Sequence, residues 1–156
     1  MNINLSEIAS YLSTNLYGDD LYVNKIETDS RKIKNGNLFV ALSGKKYDGH
    51  DFISDAIQKG ASAVLCEKSD QLSSLSVPYI LVKDSIKSLG VIALNYKSKL
   101  GEPFTIGITG TNGKTTVTKL VSSILSRTYN VSTTIGNYNN EIGLPLSILA
   151  TNHLDK

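Results

Sequence analysis

The chain has 156 residues, which is enough for one ordinary domain or for one small domain and part of another. Its composition, 40% hydrophobic and 19% charged, is ordinary for a globular protein. The formal net charge is only +2 and the lysines are scattered, so the charge pattern gives no argument for a nucleic-acid or anionic membrane partner.

A single cysteine, Cys66, excludes an internal disulfide and fits a reducing compartment. It lies in the apolar run "SAVLCE", where we expect a small core residue rather than a reactive thiol. The first residues, "MNINLSEIAS", lack the basic and apolar regions of a secretory signal. No apolar run approaches the roughly 20 residues that span a bilayer. These features predict a cytoplasmic protein.

The first third of the chain predicts a helix, two strands and a second helix. "NLSEIASYLS" is amphipathic, and Asn4 or Ser6 can cap it. "KIETDSR" and "NLFVAL" predict strands separated by a turn at Asn35-Gly36. "DGHDFISDAIQKG" predicts a helix that stops at Gly60. The apolar positions are Leu5, Ile8, Ala9 and Leu12 in the first helix and Phe52, Ile53, Ala56 and Ile57 in the second.

The remaining elements continue the alternation of strands and helices. "ASAVLCE" and "PYILVKD" predict buried strands, and "SIKSLGVIALNYKSKL" predicts a long amphipathic helix. From Phe104 a new unit follows, with a strand in "FTIGIT", a helix in "KTTVTKLVSSILSR", a strand in "NVSTTIG" and a helix from about Pro145. The pattern predicts an α/β fold class, with a small N-terminal α/β domain before the first part of a P-loop α/β domain with parallel strands.

We expect the domains to divide at 1–83 and 104–156, with residues 84–103 as a connector helix. The second unit has room for only two strands and two helices, and a two-stranded parallel sheet is a poor core by itself. We therefore expect the chain to be a truncated piece of a longer protein.

The segment "GITGTNGKTT", from Gly107 to Thr116, has the features of a phosphate-binding loop. It lies between a predicted strand and a predicted helix, whose first N–H groups and dipole favour an anion. The common pattern of two glycines before Lys-Thr is broken at Ile108, although Gly110 supplies a glycine two positions later. A glycine-rich turn that only starts a helix is the alternative. Kinases, motors, GTPases and ligases all use such loops, so the loop alone does not name the reaction.

Three blocks in chain order resemble the Mur ligase family. "TGTNGKTT", Thr109 to Thr116, is similar to the ATP loop of that family, and Thr28 to Leu65 is similar to its N-terminal substrate domain. "GNYNNEIGLPLSIL", Gly136 to Leu149, resembles the members that add D-alanyl-D-alanine. The members that add the third amino acid usually have a Thr-Thr-Pro run there.

The resemblance implies an ATP- and Mg²⁺-dependent amide ligase of peptidoglycan synthesis. Its substrates would be UDP-N-acetylmuramoyl-tripeptide and D-alanyl-D-alanine, joined through an acyl phosphate. We expect a monomer without a nucleic-acid or membrane partner. Further metal ligands and a C-terminal domain of similar ligases have no counterpart in this chain, so we expect little or no turnover from it alone.

The resemblance also implies the site residues, with Lys114 and Thr115 catalytic and Thr115 on the metal. The expected ATP contacts are Thr109, Gly110, Thr111, Asn112, Gly113, Lys114, Thr115 and Thr116. The expected substrate contacts are Asp29, Ser30, Arg31, Ser43, Gly44, Lys46, Asp48, Gly49, His50, Phe52, Asn137, Asn139, Asn140 and Glu141.

Structural roles are the alternative for several of these residues. Asp29 and Arg31 could form an ion pair in a turn, and Asp48 is favoured as an N-cap. His50 could be structural, and the asparagines could form a turn. For the whole chain, the alternatives are the sister ligase that adds lysine or diaminopimelate, a non-catalytic nucleotide-sugar binding module, and an unrelated phosphate-loop kinase.

Overall fold

The computed structural model describes residues 1–44, 47–68, 76–101, 103–134 and 140–151. Short 3-10 turns lie at Ser30–Lys32 and Gly49–Phe52. In chain order the helices and strands are β1 (Ile3–Asn4), α1 (Leu5–Tyr11), β2 (Leu16–Tyr17), β3 (Tyr22–Val23), β4 (Lys25–Glu27), β5 (Asn37–Val40), α2 (Ile53–Gln58), β6 (Ala61–Cys66), β7 (Tyr79–Leu81), α3 (Ser85–Lys99), α4 (Lys114–Leu125) and α5 (Gly143–Leu149).

A five-stranded sheet in the order β2-β7-β6-β5-β4 organises the first part of the chain. The strands β4, β5, β6 and β7 are parallel to one another, and β2 is an antiparallel edge strand. A parallel sheet is covered on both faces, which explains why β5 and β6 are almost continuously apolar. The predicted α/β fold class is confirmed. A separate antiparallel pair joins β1 to β3.

Alternate residues of the strands enter two apolar cores, one on each face of the sheet. The face covered by α1, α3 and α5 buries Ile26, Leu38, Val40, Ala63, Leu65 and Ile80. The face covered by α2 buries Phe39, Ala41, Val64 and Cys66. Burial, with a smaller contribution from the neighbouring Glu67 charge, raises the pKa of the Cys66 thiol to about 11. Cys66 is therefore a core residue, as predicted.

Helices α3 and α5 pack together on the first face of the sheet. Leu89, Ile92 and Tyr96 of α3 share a core with Leu149 of α5. The Tyr96 hydroxyl also donates to the carbonyl of Thr151 over 3.0 Å. The helix predicted as a connector thus covers the sheet as well, and the division of the chain into domains stays a prediction.

Turns and caps follow the predicted chemistry in most places. Gly36 and Gly60 have φ of +85° and +102°, a region that glycine enters without steric cost. Asp84 caps α3 by accepting from the backbone N–H of Lys87 over 2.9 Å. The predicted cap of α1 is wrong, because Asn4 makes no side-chain cap bond. Instead, the Asp20 carboxylate accepts from the N–H and hydroxyl of Ser6.

The strands predicted from Phe104 onward and the burial predicted for Phe52 need correction, whereas the helix predicted from about Pro145 is confirmed. The structure forms α4 but no strand between residues 103 and 134, because strands need hydrogen-bonded partners that this stretch does not meet. Phe104 is 93% exposed, and α4 has no buried residue. Phe52 is 42% exposed rather than buried, since a 3-10 turn precedes α2 and the buried positions begin at Ile53. Helix α5 begins at Gly143, two residues before Pro145.

Candidate functional site

The carboxyl ends of the parallel strands gather polar side chains at one edge of the sheet. Asp29 follows β4, Ser43 follows β5, Glu67 follows β6 and Ser85 follows β7. Ligands of open α/β sheets bind at this edge, so we name it the carboxyl edge. The structure therefore brings the starts of the two predicted N-terminal substrate segments, Asp29 to Arg31 and Ser43 to Phe52, to the same side of the sheet.

Asp29 and Arg31 form a bidentate ion pair just after β4. The guanidinium Nε and Nη2 atoms of Arg31 donate to the two carboxylate oxygens of Asp29 over 2.8 and 2.9 Å. These bonds, chiefly the side-chain bond from Arg31, lower the pKa of Asp29 to about 2. The Arg31 side chain is 83% exposed, so the pair orients a cation toward solvent. Ser30 between them is buried.

The loop at residues 42–49, described at 42–44 and 47–49, is closed by hydrogen bonds between its own backbone groups. The N–H of Gly44 donates to the carbonyl of Tyr47 over 3.2 Å, and that of Gly49 donates to Leu42 over 2.8 Å. A Cβ at Gly49 would lie 2.6 Å from the nitrogen of Leu42, so only glycine permits this approach. The predicted substrate residue Lys46 lies outside the described residues.

His50 is locked inside the protein at the end of this loop. Its Nε2 accepts from the backbone N–H of Glu67 over 2.8 Å, and its Nδ1 lies 2.6 Å from an Asp48 oxygen. The ring is 7% exposed. Asp48 also accepts from the backbone N–H of His50, which confirms it as an N-cap, and it pairs with Lys68. Lys68 first, and then His50, hold the pKa of Asp48 well below its usual range.

Glu67 is a site residue that the sequence analysis missed. Its carboxylate accepts from the Ser43 hydroxyl over 2.9 Å and from the backbone N–H of Ser85 over 2.7 Å. Partial burial raises its pKa, but these hydrogen bonds outweigh burial and the net shift is downward. One sequence signal could have found it, because Glu67 is the first polar residue after a buried parallel strand.

The predicted phosphate loop ends at the start of α4. Gly113 has φ of +79°, and nothing lies within 4 Å of the position where a Cβ would be. The first helical bond runs from Val117 N–H to the Gly113 carbonyl, so the preceding N–H groups of the first turn have no partner within the helix. The Lys114 ammonium donates to the carbonyl of Gly110. Residues 109–116 are exposed except for a half-buried Lys114.

The third block is described only in part, since Asn137 and Asn139 lie outside the described residues. Asn140 begins the turn into α5, and its side-chain oxygen accepts from the N–H of Gly143 over 2.7 Å. This bond gives Asn140 a structural role at the start of α5, and its predicted substrate contact stays a prediction. Glu141 beside it is exposed.

Two features are absent from the part of the chain that the structure describes. No three His, Cys, Asp or Glu side chains group there in a way that could hold a metal ion. No helix among those residues combines the length and the apolar character that a membrane span requires.

Two family models match the chain in sequence order. The model described as Mur ligase family, catalytic domain, matches residues 22–100, just over half of the chain. The chain belongs to the Mur ligase family. The model described as Mur ligase middle domain matches residues 108–155, so it covers the predicted phosphate loop from Thr109 to Thr116 and also α5.

Known proteins similar to this Mur ligase chain include two kinds of ligase. It is 40% identical over 148 residues to the UDP-N-acetylmuramoyl-tripeptide–D-alanyl-D-alanine ligase of Haemophilus influenzae, covering 92% of this chain and 32% of that protein. It is 47% identical over 104 residues to the UDP-N-acetylmuramoyl-L-alanyl-D-glutamate–2,6-diaminopimelate ligase of Cytophaga hutchinsonii, covering 65% and 21%. The chain thus spans about a third of the length of the first relative.

A solved structure shares the fold of this Mur ligase chain. The UDP-N-acetylmuramoylalanyl-D-glutamyl-2,6-diaminopimelate–D-alanyl-D-alanyl ligase from Acinetobacter baumannii superposes with a TM-score of 0.90 at 25% identity. The superposition covers 98% of this chain and 34% of the other. The predicted family resemblance and fold class are confirmed.

Proposed function

We propose that this chain supplies the nucleotide-sugar domain and the phosphate loop of an ATP-dependent ligase of peptidoglycan precursor synthesis. The ligase would add D-alanyl-D-alanine to UDP-N-acetylmuramoyl-tripeptide. The polar block from Gly136 to Leu149 supports this choice of substrates, and so does the similarity to the Haemophilus influenzae ligase over 92% of the chain. The use of ATP and a UDP-linked precursor places the proposed reaction in the cytoplasm.

The observation that carries the proposal is the start of α4. Gly113 leads the backbone into the helix, and the space beside its Cα is open to a ligand. The N–H groups of the first turn point at the loop. The Lys114 ammonium already lies against the loop carbonyl of Gly110, from where it can turn to a phosphate oxygen. This arrangement fits a nucleoside triphosphate, and Lys114 would neutralise charge on the group that is transferred.

A magnesium ion fits the same loop. The Thr115 hydroxyl is exposed at the first turn of α4 and offers the hard oxygen that Mg²⁺ prefers. Mg²⁺ bound with the triphosphate would draw charge from the phosphates and so make the outer phosphorus more electrophilic. The protein would contribute Thr115 as one ligand and leave the others to phosphate and water.

The carboxyl edge supplies the proposed binding surface for the UDP-sugar. The exposed guanidinium of Arg31 is held in a fixed orientation by Asp29, and an oriented guanidinium suits a pyrophosphate. The loop at 42–49 forms the neighbouring wall. Because both ring nitrogens of His50 are engaged inside the protein, we assign that wall's substrate contacts to Ser43 and the loop backbone rather than to His50.

Calorimetric titration tests the proposal on the chain itself. We expect separate binding of UDP-N-acetylmuramoyl-tripeptide and of ADP with Mg²⁺. A phosphate-release assay with ATP and both substrates should stay near background with the chain alone. If the reading frame continues after Lys156, its full product should release phosphate. Absence of tripeptide binding would contradict the proposal, and robust release by the chain alone would contradict its assignment as a partial enzyme.

A second candidate is the sister ligase that adds lysine or diaminopimelate. The 47% identity to the Cytophaga hutchinsonii ligase over 104 residues favours it. Titration with the UDP-linked dipeptide in place of the tripeptide discriminates the two, because each ligase must bind its own acceptor. If the product of a longer reading frame releases phosphate with diaminopimelate and not with D-alanyl-D-alanine, this candidate is favoured.

A further inference from the structure

Backbone hydrogen bonds hold the two ends of the loop at residues 42–49 together. The position of the loop relative to the rest of the protein depends on side chains. Ser43 and Asp48 form a single antiparallel bridge across the loop. Beyond this bridge, Ser43 is exposed and contributes no apolar burial that could fix its position. Leu42 packs against the core at the start of the loop, so the side-chain contact that positions Ser43 itself is polar.

Glu67 provides that contact through three hydrogen bonds, one to Ser43 at the start of the loop, one to His50 after its end and one to Ser85 at the start of α3. One carboxylate oxygen accepts from the Ser43 hydroxyl over 2.9 Å, and the other accepts from the N–H of Ser85 over 2.7 Å. The Glu67 backbone N–H donates to Nε2 of His50 over 2.8 Å. Glu67 thus connects both ends of the loop at residues 42–49 to the start of α3.

The start of α3 is a rigid reference for the loop. Ser85 is completely buried, and its hydroxyl donates to the carbonyl of Ala41 over 2.8 Å. Ala41 is itself fully buried at the end of β5. The path from Ser43 through Glu67 to Ser85 therefore ends in the core, whereas Ser43 and Gly44 face solvent.

We propose that Glu67 is a positioning residue that holds Ser43 and the loop at 42–49 in the geometry that binds the nucleotide-sugar substrate. This inference rests on the proposed function. A role only in capping α3 does not account for the contacts, because Asp84 already caps that helix through the N–H of Lys87. The bond to Ser43 contributes nothing to the helix and acts on the loop alone.

The hydrogen-bonding chemistry predicts which replacements preserve the contacts of Glu67. In Glu67→Gln the amide oxygen can still accept from Ser85, and the amide NH₂ can donate to Ser43, because a hydroxyl both donates and accepts. Glu67→Ala removes both bonds. Glu67→Asp keeps the charge but is one methylene shorter, so it cannot span from Ser43 to Ser85.

The test measures the Kd of UDP-N-acetylmuramoyl-tripeptide by calorimetry, with ADP as an internal reference ligand. We expect Glu67→Ala to raise the tripeptide Kd about tenfold and Glu67→Gln to raise it by less than about threefold. The Kd of ADP should change by less than about twofold in both variants, since the phosphate loop is a separate site. If Glu67→Ala does not fold, Glu67→Asp serves in its place, with an expected rise of about fivefold.

Glu7→Gln is the matched control. It makes the same carboxyl-to-amide change in a residue that bonds Lys99, at the other end of α3. Its tripeptide Kd should equal that of the wild type. A double variant of Glu67→Ala with Ser43→Ala should bind no more weakly than Ser43→Ala alone, because Glu67 acts through Ser43.

The outcomes separate the inference from the proposed function. The positioning role alone is overturned if the wild type binds the tripeptide and Glu67→Ala binds it equally well. It is also overturned if Glu67→Ala loses tripeptide and ADP affinity to the same extent. Tripeptide binding that is absent in the wild type overturns the proposed function and this inference with it.

Discussion

The backbone N–H of Glu67 donates to Nε2 of His50 over 2.8 Å, and this bond decides which ring nitrogen carries the proton. A nitrogen that accepts cannot bear a hydrogen, so neutral His50 is protonated at Nδ1. That nitrogen lies 2.6 Å from an Asp48 oxygen, which accepts the proton's hydrogen bond. One buried ring thus connects the end of β6 to Asp48 and to the 3-10 turn before α2.

Nitrogen NMR of the imidazole rings tests this assignment. We expect His50 to show the Nδ1–H tautomer near neutral pH, because the Glu67 N–H occupies Nε2. The chain has only two histidines, so the variant His153→Gln assigns the spectrum. An Nε2–H tautomer at His50 would contradict the hydrogen-bond pattern.

Replacing His50 should cost stability. His50→Ala leaves the Glu67 N–H and an Asp48 oxygen without their buried partner, so we expect the free energy of unfolding to fall by about 2–3 kcal/mol. Urea unfolding measures this loss. Phe52→Ala, two positions along and 42% exposed, is the comparison and should cost less than His50→Ala. Equal losses of stability in the two variants would show that the hydrogen bonds of His50 do not stabilise the fold.

The ion pair of Asp29 and Arg31 predicts a pH dependence at low pH. The folded pKa of Asp29 is depressed to about 2, so its contribution to stability is present above the unfolded pKa of about 4 and is lost as the pH falls through 2. Because Arg31 is 83% exposed, solvent screening limits the effect to on the order of 1 kcal/mol. Unfolding of wild type and Asp29→Asn from pH 5 to pH 2 measures it.

The comparison isolates Asp29 because other depressed carboxylates, including Asp48, titrate in both proteins. The stability difference between wild type and Asp29→Asn should shrink as the pH falls. A constant difference over that range would mean that the ion pair adds nothing to stability.

Much of the N-terminal fold could be predicted because burial sets its sequence pattern. Helix α3 carries apolar residues at helical spacing, and Leu89, Ile92 and Tyr96 are buried. Strand β6 is an unbroken apolar run, as a strand covered on both faces must be. Local chemistry also predicted the Asp48 cap and the turn at Gly36.

The rest depends on partners that local sequence does not specify. The apolar run at 104–109 predicts a strand, but a strand forms only where a neighbour completes its hydrogen bonds. Likewise, the role of His50 depends on Glu67, 17 residues away, and the contact exists only because β5 pairs with β6. Motif resemblance located the loop but could not distinguish substrate contact from an internal bond.

Gly90 lies in the middle of α3 with nothing within 4 Å of its Cβ position. Gly90→Ala should therefore raise the free energy of unfolding by about 0.5–1 kcal/mol, because alanine loses less backbone entropy on folding. Thermal and urea unfolding measure the gain. A loss of stability would show that this face of α3 is more crowded than the structure indicates.

The Tyr96 hydroxyl links α3 to the end of α5 through the Thr151 carbonyl. Tyr96→Phe keeps the ring in the core and removes only this bond, so we expect a loss of about 1 kcal/mol. Relative to wild type, Tyr96→Phe should speed up amide hydrogen exchange in α5 more than in β6, since the bond acts on the end of α5. The control Tyr11→Phe removes a hydroxyl that bonds Glu7 and should leave α5 unchanged. Unchanged exchange of α5 in Tyr96→Phe would mean that apolar packing alone holds the helix.

Lys114 bonds the exposed loop carbonyl of Gly110 and supports no core residue, so its replacement should separate binding from stability. Lys114→Met should leave the free energy of unfolding within about 0.5 kcal/mol of wild type. The Kd of ADP should rise at least about tenfold, because the ammonium that we propose to bind the phosphates is gone. Lys119→Met, an exposed lysine of the same helix, makes the same change in net charge and should raise the Kd by less than about twofold. Equal effects of the two substitutions would show that ADP responds to the overall charge of α4 and not to a contact with Lys114.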